Sequence, residues 1–204
     1  MIETDVVVLR FTGRPVPRAL AALASRDVGG GPEIDAATAG TRRVVVLGTD
    51  SDLAAVLTRL MRTDRLDVEV AHVPDGPLRP LHARRAVKDA ARRVPLVRDD
   101  TGTALVGSAL WLPPEGADRL HGEAVVDDTV LFDGAVSAVR IEPTAAMPGL
   151  RAAVLAGPRR RWVSGRAAQL GTTGVRVVRD GVPGARELKR STFYRHTTGW
   201  LRVG

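Results

Sequence analysis

Val44-Val-Val-Leu-Gly-Thr-Asp-Ser-Asp-Leu53 joins a short apolar run to a glycine turn carrying two acids, and then to an amphipathic segment. The unbroken run from Arg43 to Leu47 has the length of a strand, and its lack of alternation fits one covered on both faces. From Asp52 to Arg62, Leu53, Val56, Leu57, Leu60 and Met61 recur at helical spacing. Ser51 or Asp52 is placed to cap that helix. A strand that ends in a glycine turn and feeds a helix is where open α/β sheets bind ligands.

The flanking segments extend the pattern. Asp5–Phe11 reads as a strand, Ala19–Arg26 as a helix, Glu33–Thr41 as a loop, Asp67–Val73 as a strand and Leu81–Arg93 as a helix. Strands alternating with helices over short connections imply a parallel sheet. The right-handed crossover then puts the strand C-terminal ends, Gly48–Asp52 and Pro74–Gly76, along one edge. After Pro95 the pattern changes to short strand-like runs separated by Gly- and Asp-rich turns, as in an antiparallel sandwich or barrel. The expected architecture is an α/β domain over 1–94 followed by an antiparallel β-sandwich-like domain over 95–204. No long linker separates them, so the halves are expected to pack together.

Composition narrows the chemistry. With no cysteine, disulfides, zinc-thiolate sites and a thiol nucleophile are excluded. His72, His82, His121 and His196 show no metal-ligand spacing, and no metal site is expected. No nucleophile elbow, Walker-type loop or dinucleotide fingerprint is present. Acids near the N-terminus and the lack of a long apolar run make a soluble cytoplasmic protein the expectation. The first 139 residues hold 17 basic and 20 acidic residues, whereas residues 140–204 hold 13 and 3. That asymmetry suggests an anionic partner for the C-terminal part. A solvated basic face that binds acids of the other half, or of a second subunit, explains it equally well.

Three turns could carry chemistry. In Gly48-Thr-Asp-Ser-Asp52 the glycine lets backbone approach a ligand, and the helix N-terminus offers N–H groups to an anion. The two carboxylates there would repel a bare anion unless they hold Mg²⁺ or sugar hydroxyls, and simple helix capping is the plainer reading. Pro74-Asp-Gly-Pro-Leu-Arg-Pro80, containing Gly76, is a rigid loop whose interest is its place beside the first turn. Asp180-Gly181 has the composition of a hairpin turn, yet Asp180 is an isolated carboxylate among arginines, either a salt-bridge partner or a base. Arg190-Ser-Thr-Phe-Tyr-Arg-His196 with Trp200, and Arg159-Arg-Arg-Trp162, mix aromatics and cations as single-strand nucleic-acid binders do. A sheet-core role for those aromatics is the simpler reading, and nucleic acid is the weakest of the partners considered.

Taken in order, the three turns resemble motifs of the diacylglycerol kinase and sphingosine kinase family, itself related to NAD kinases. Gly48 and Asp50 match that family's Gly-Gly-Asp-Gly-Thr nucleotide loop, in the same strand-to-helix context. Pro74 and Gly76 match its Pro-x-Gly-Thr-x-Asn-Asp loop, and Asp180-Gly-Val-Pro183 matches three positions of its Asp-Gly-Glu-Pro. The chain is shorter than expected for that family, as if a strand–helix unit between Arg26 and Arg42 were missing.

The resemblance implies ATP with Mg²⁺, its phosphate held between the domains by Gly48, Thr49, Asp50, Ser51, Asp52 and Gly76. It implies Asp180 as the base that activates a lipid or small-alcohol hydroxyl. It also implies an anionic lipid headgroup as partner, with peripheral membrane contact, and is compatible with a homodimer. Thr49 and Ser51 replace loop glycines, and the Asn-Asp pair and the late Glu are lost, which removes groups that phosphoryl transfer needs. Two readings follow: an ATP-dependent kinase, and a non-catalytic descendant that binds a nucleotide, lipid or protein.

Overall fold

The computed structural model describes residues 5–157 and 160–204, which divide into two compact units: residues up to Val94 together with Thr198–Gly204, and Pro95–Thr197. The first unit contains strands β1 (Val6–Arg10), β2 (Ala24–Asp27), β3 (Arg43–Leu47), β4 (Glu69–Val73) and β5 (Ala91–Val94). Its helices are α1 (Gly31–Thr38), α2 (Asp50–Arg62) and α3 (Arg79–Lys88). The second unit contains β6 (Val97–Asp99), β7 (Ala104–Leu105), β8 (Ala109–Leu112), β9 (Leu120–Val126), β10 (Thr129–Val136) and β11 (Val139–Pro143). It continues with β12 (Leu150–Val154), β13 (Val163–Gly165), β14 (Ala167–Arg179), β15 (Val182–Pro183) and β16 (Leu188–Arg195), and β17 (Trp200–Val203) returns to the first unit.

In the first unit the sheet order is β2-β1-β3-β4-β17-β5, parallel except for the β17–β5 pair. Every residue of β3 is buried. Val45 and Leu47 join Val8, Ala71, Val73, Ala83 and Ala86 in a core beneath α3, so the alternate residues Val44 and Val46 point to the other face. Arg43 is tolerated in this strand because its guanidinium meets Glu69 at 2.5 Å and donates to the carbonyls of Ala86 and Val87 at 2.9 and 3.2 Å. Those bonds satisfy acceptors at the C-terminal end of α3, where a cation is favoured.

Local expectations failed where the elements are short. Ala19–Arg26 is not a helix: a 3-10 turn over Arg18–Leu20 is followed by β2, which pairs Ala24 to Asp27 with Val7 to Arg10. Parallel pairing and the Arg10–Asp27 ion pair override the helical composition. Glu33–Thr41 is not a loop, because α1 begins at Gly31 with Pro32 in its first turn and buries Ile34 and Thr38. A short strand–helix unit, β2 followed by α1, therefore spans residues 24–38, in the region where such a unit is expected to be missing. The third helix stops at Lys88, and the expected Leu81–Arg93 helix yields its end to β5, which pairs with β17.

The second unit is antiparallel throughout, its strands ordered β13-β12-β11-β8-β14-β16-β6-β7, with β9 also pairing β14, β10 pairing β9 and β15 pairing β14. Its core runs through Trp111, Phe193, Ile141, Leu120, Leu150 and Val175. Trp111 also donates to the buried Ser191 Oγ at 2.9 Å, which satisfies both polar atoms. The expected 95–204 domain loses its tail. Thr198–Gly204 belongs to the first unit because β17 fills the place between β4 and β5. No helix among the described residues is long and apolar enough to cross a membrane.

Trp200 anchors that returning strand and is nearly buried. Trp200→Ala should lower the unfolding free energy by about 3–5 kcal/mol, read as a shift of the urea midpoint followed by far-UV circular dichroism.

Candidate functional site

In the first sheet the chain runs from β1 outward to β2, then returns to the other side of β1 as β3. The C-terminal ends of β1 and β3 therefore flank the point where strand order reverses, the usual ligand position in open α/β sheets. Three segments meet there: Phe11–Arg14 after β1, Gly48–Thr49 after β3, and Pro74–Leu78 after β4.

The β3–α2 turn is a complete capping box. Thr49 is the N-cap, its Oγ1 accepts from the Asp52 N–H at 3.3 Å, and Asp52 Oδ2 accepts from the Thr49 N–H at 2.7 Å. Neither Ser51 nor Asp52 is the cap; Ser51 Oγ instead shares a hydrogen bond with Thr49 Oγ1 at 2.8 Å. Gly48 is required here, since a Cβ at that position would lie 2.5 Å from Asp52 Oδ2. The N–H groups of Asp50 and Ser51 have no intrahelical acceptor by helix geometry, and the α2 N-terminus gives them positive potential.

Arg14 ties the turns together, and nothing in its local sequence announced it. It donates to the Phe11 carbonyl at 2.9 Å and to Thr12 Oγ1 at 2.7 Å. Its Nε reaches Asp75 Oδ2 at 2.7 Å, while Nη1 stands 3.6 Å from Asp52 Oδ2. The hydrogen bond from Arg14 holds the Asp75 carboxyl below the usual carboxylate range. The first and second turns thus share one cation, whose positive charge sits at the strand ends. Gly76 lies in the same β4 loop at φ 132°, and a Cβ added there would meet nothing within 4 Å.

His72, at the end of β4, is the second group missed by motif reading. Its Nε2 lies 3.0 Å from the Gly48 carbonyl and its Nδ1 3.9 Å from Asp50 Oδ1. Burial pushes its pKa below the ordinary histidine value, with the Gly48 contact and Asp50 opposing in part. Asp50 is half-exposed. A Mg²⁺ ion brought by a nucleotide needs only one or two carboxylates beside phosphate and water, and Asp50 can supply one. No group of three His, Cys, Asp or Glu that could hold a metal by itself occurs among the described residues.

Asp180 lies in the second unit. With Gly181 it forms the two-residue loop between β14 and β15, both at positive φ (48° and 83°), as a type I′ hairpin requires. Its carboxylate accepts the N–H groups of Val106 at 3.0 Å, Gly107 at 2.7 Å and Ser108 at 3.0 Å. Main-chain donors thus occupy three of the roughly four acceptor directions of a carboxylate. One residue earlier, Arg179 Nε stands 2.6 Å from Asp99 Oδ2, and Asp99 is fully buried. Asp99 Oδ1 also accepts from the Thr101 and Thr103 N–H groups, each at 2.9 Å.

Several of the arginines that make the C-terminal part basic have internal partners. Arg140 and Arg151 both bind Glu142, Arg151 lies 4.3 Å from the centre of the Trp162 ring, and Arg176 donates to the Pro113 carbonyl. Phe193 is fully buried, Trp200 is in the first unit's sheet, and Tyr194 is covered by Arg98 at 4.4 Å. The aromatics singled out as a stacking surface are therefore core or cation-covered groups; Arg159 of that reading lies outside the described residues.

No protein-family model and no curated protein matches the sequence. Solved structures do. The fold is that of the diacylglycerol kinase and NAD kinase structures. A diacylglycerol kinase structure from Bacillus anthracis matches at TM-score 0.73 and 11% identity, covering 100% of this chain and 97% of that one. An NAD kinase from Archaeoglobus fulgidus, solved in complex with ATP, matches at TM-score 0.65 and 11% identity, covering 98% of this chain and 93% of that one.

Two outcomes are expected from the turn's geometry. Thr49→Ala removes the cap and should cost about 1 kcal/mol of stability, measured by denaturant titration. For His72 the depressed folded value means the unfolded chain takes the proton first. Its contribution is fully present above about pH 6.5 and is lost as pH falls through the lower folded value. His72→Gln should flatten that part of the melting temperature–pH profile.

Proposed function

We propose that this chain is a divergent lipid-kinase-like protein that binds nucleotide phosphate at the β3–α2 turn and has lost phosphoryl transfer. The observation that carries the reading is the meeting of Gly48–Asp52, the α2 N-terminus and Arg14 at the strand-order reversal. A phosphate there gains the Asp50 and Ser51 N–H groups and the charge of Arg14, which stays beside Asp52 and Asp75 and offsets part of the repulsion that the carboxylates exert. The ATP complex of the Archaeoglobus fulgidus NAD kinase, a protein of the same fold, supports ATP as the nucleotide, with Asp50 as the side chain nearest to hand for its Mg²⁺. A cytoplasmic protein acting at an anionic lipid surface belongs to the same reading.

Loss of catalysis follows from the groups present. Thr49 and Ser51 add side chains where phosphate needs backbone, and Asp52 is committed to the capping box. The Asp180 carboxylate is engaged by three main-chain N–H groups, so taking a hydroxyl proton would cost it part of that network. Phosphoryl transfer rests on positioning and charge stabilisation, and each departure subtracts from both.

A second reading keeps catalysis, with Asp180 as general base toward a lipid or small-alcohol hydroxyl. It is favoured by the retained Asp180-Gly181 hairpin, whose main-chain bonds hold the carboxylate in one orientation.

Thermal unfolding with ATP·Mg²⁺, together with product analysis on a panel of lipid alcohols, separates the readings. The expected result is a raised melting temperature, about 2.7 kcal/mol of stabilisation at a hundredfold excess over Kd, with no phosphorylated product. Arg14→Ala should abolish the shift. Turnover that disappears in Asp180→Ala would replace this reading with the second, and no response to ATP would overturn both.

A further inference from the structure

The groove between the Pro15–Leu20 segment and α3 holds positive charge that the strand-end site does not use. It has a volume of 590 Å³ and is lined by Pro15, Pro17, Arg18, Arg79, Pro80 and Arg84, with small apolar side chains between them. That volume falls within the range of small-molecule sites, about 300–1,000 Å³. Its three prolines fix the backbone on both walls, so the groove is formed before a ligand arrives.

The charge is unbalanced. Arg79 donates to the Pro15 carbonyl at 2.6 Å and stands 3.7 Å from Asp75, which locks it in place. Arg18 and Arg84 are exposed and have no side-chain hydrogen bond or ion pair among the described residues. Among the described residues, no acid lines the groove. Guanidinium groups along an apolar wall focus positive potential and present forked donors matched to carboxylate and phosphate oxygens.

We propose that this groove is a binding site for a small anionic amphiphile: an oxyanion head, phosphate monoester or carboxylate, on a short aliphatic body. Arg18 and Arg84 take the head, with Arg79 as the fixed third cation, and Pro15, Pro17 and Pro80 cover the body. The site is separate from the nucleotide-phosphate reading at the β3–α2 turn and does not rest on it.

Calorimetric titration of the full chain with octyl phosphate, octanoate, inorganic phosphate and octanol tests this. At least one of the two amphiphilic anions should bind at a single site, and which one does so tells phosphate from carboxylate. Inorganic phosphate and octanol should each bind about tenfold more weakly or worse, because each keeps only half of the interaction. The double variant Arg18→Ala/Arg84→Ala changes two exposed side chains. It should weaken the anion about tenfold or more while leaving the melting temperature and the ATP response as in wild type.

No saturable binding of either anion overturns the proposal, as does undiminished binding by the double variant. Octanol or inorganic phosphate binding as tightly as octyl phosphate also overturns it, since charge or apolar contact would then suffice alone. Loss of the ATP response in the double variant would make the groove part of the nucleotide site and end its claim to be separate. A wild-type chain that ignores ATP but binds octyl phosphate upholds the groove while defeating the nucleotide reading.

Discussion

Burial of β3 on both faces is the constraint from which the first unit follows. A strand with no exposed residue must have neighbours on each side and helices above and below. β1 and β4 supply the neighbours in parallel register, with α3 on one face. The strand cannot stay apolar past Leu47, because the chain there emerges into water and must satisfy the free N–H groups of α2. The Thr49–Asp52 capping box does this within four residues. The same box needs glycine at 48, so the candidate ligand loop is shaped first by helix capping.

Charge distribution follows a similar rule. This chain is rich in arginine, yet many arginines are set against carbonyls and carboxylates within their own unit. Arg43 caps α3 while neutralised by Glu69, Arg179 meets the buried Asp99, and Arg140 and Arg151 share Glu142. Such pairs keep guanidinium groups inside the fold at tolerable cost, since a buried charge without a partner would be expensive. Against that background, cations lining a groove with no acid among its described lining residues stand out, and so does a single arginine shared by two carboxylates at the strand ends. The net positive charge alone located neither.

The match to kinase structures at 11% identity concerns the fold, and function depends on the groups placed upon it. The strand-end turn keeps a glycine, a helix N-terminus and a cation, groups of the kind used to hold phosphate. Catalysis demands more: small residues for close backbone approach, carboxylates able to bind metal, and a base able to accept a proton. Asp52 and Asp180 are each held in local hydrogen-bond networks that stabilise the protein. Those commitments are what support the proposed reading of binding without transfer.

Much of the architecture was legible in the residues. The β3 run, the α2 stripe and the change of pattern at Pro95 are strong because each rests on a hydrophobic period or its absence over many residues. The Asp180-Gly181 hairpin was legible because a two-residue turn with positive φ has few compatible sequences. β2 and α1 were not, since four exposed residues and one eight-residue helix carry too little periodicity to outweigh alanine's helical preference. Nor could any local signal foretell that β17 inserts between β4 and β5, a pairing across more than a hundred residues. The candidate site divides the same way. The sequence by itself determined where the glycine turn lies and that a helix starts after it. Only tertiary structure decided that Arg14 joins that turn to Asp75, that Asp180 is held by three N–H groups, and that three arginines share one groove. The reason is physical: periodicity and turn chemistry act over a few residues, while the charges that define a site are brought together by the sheet.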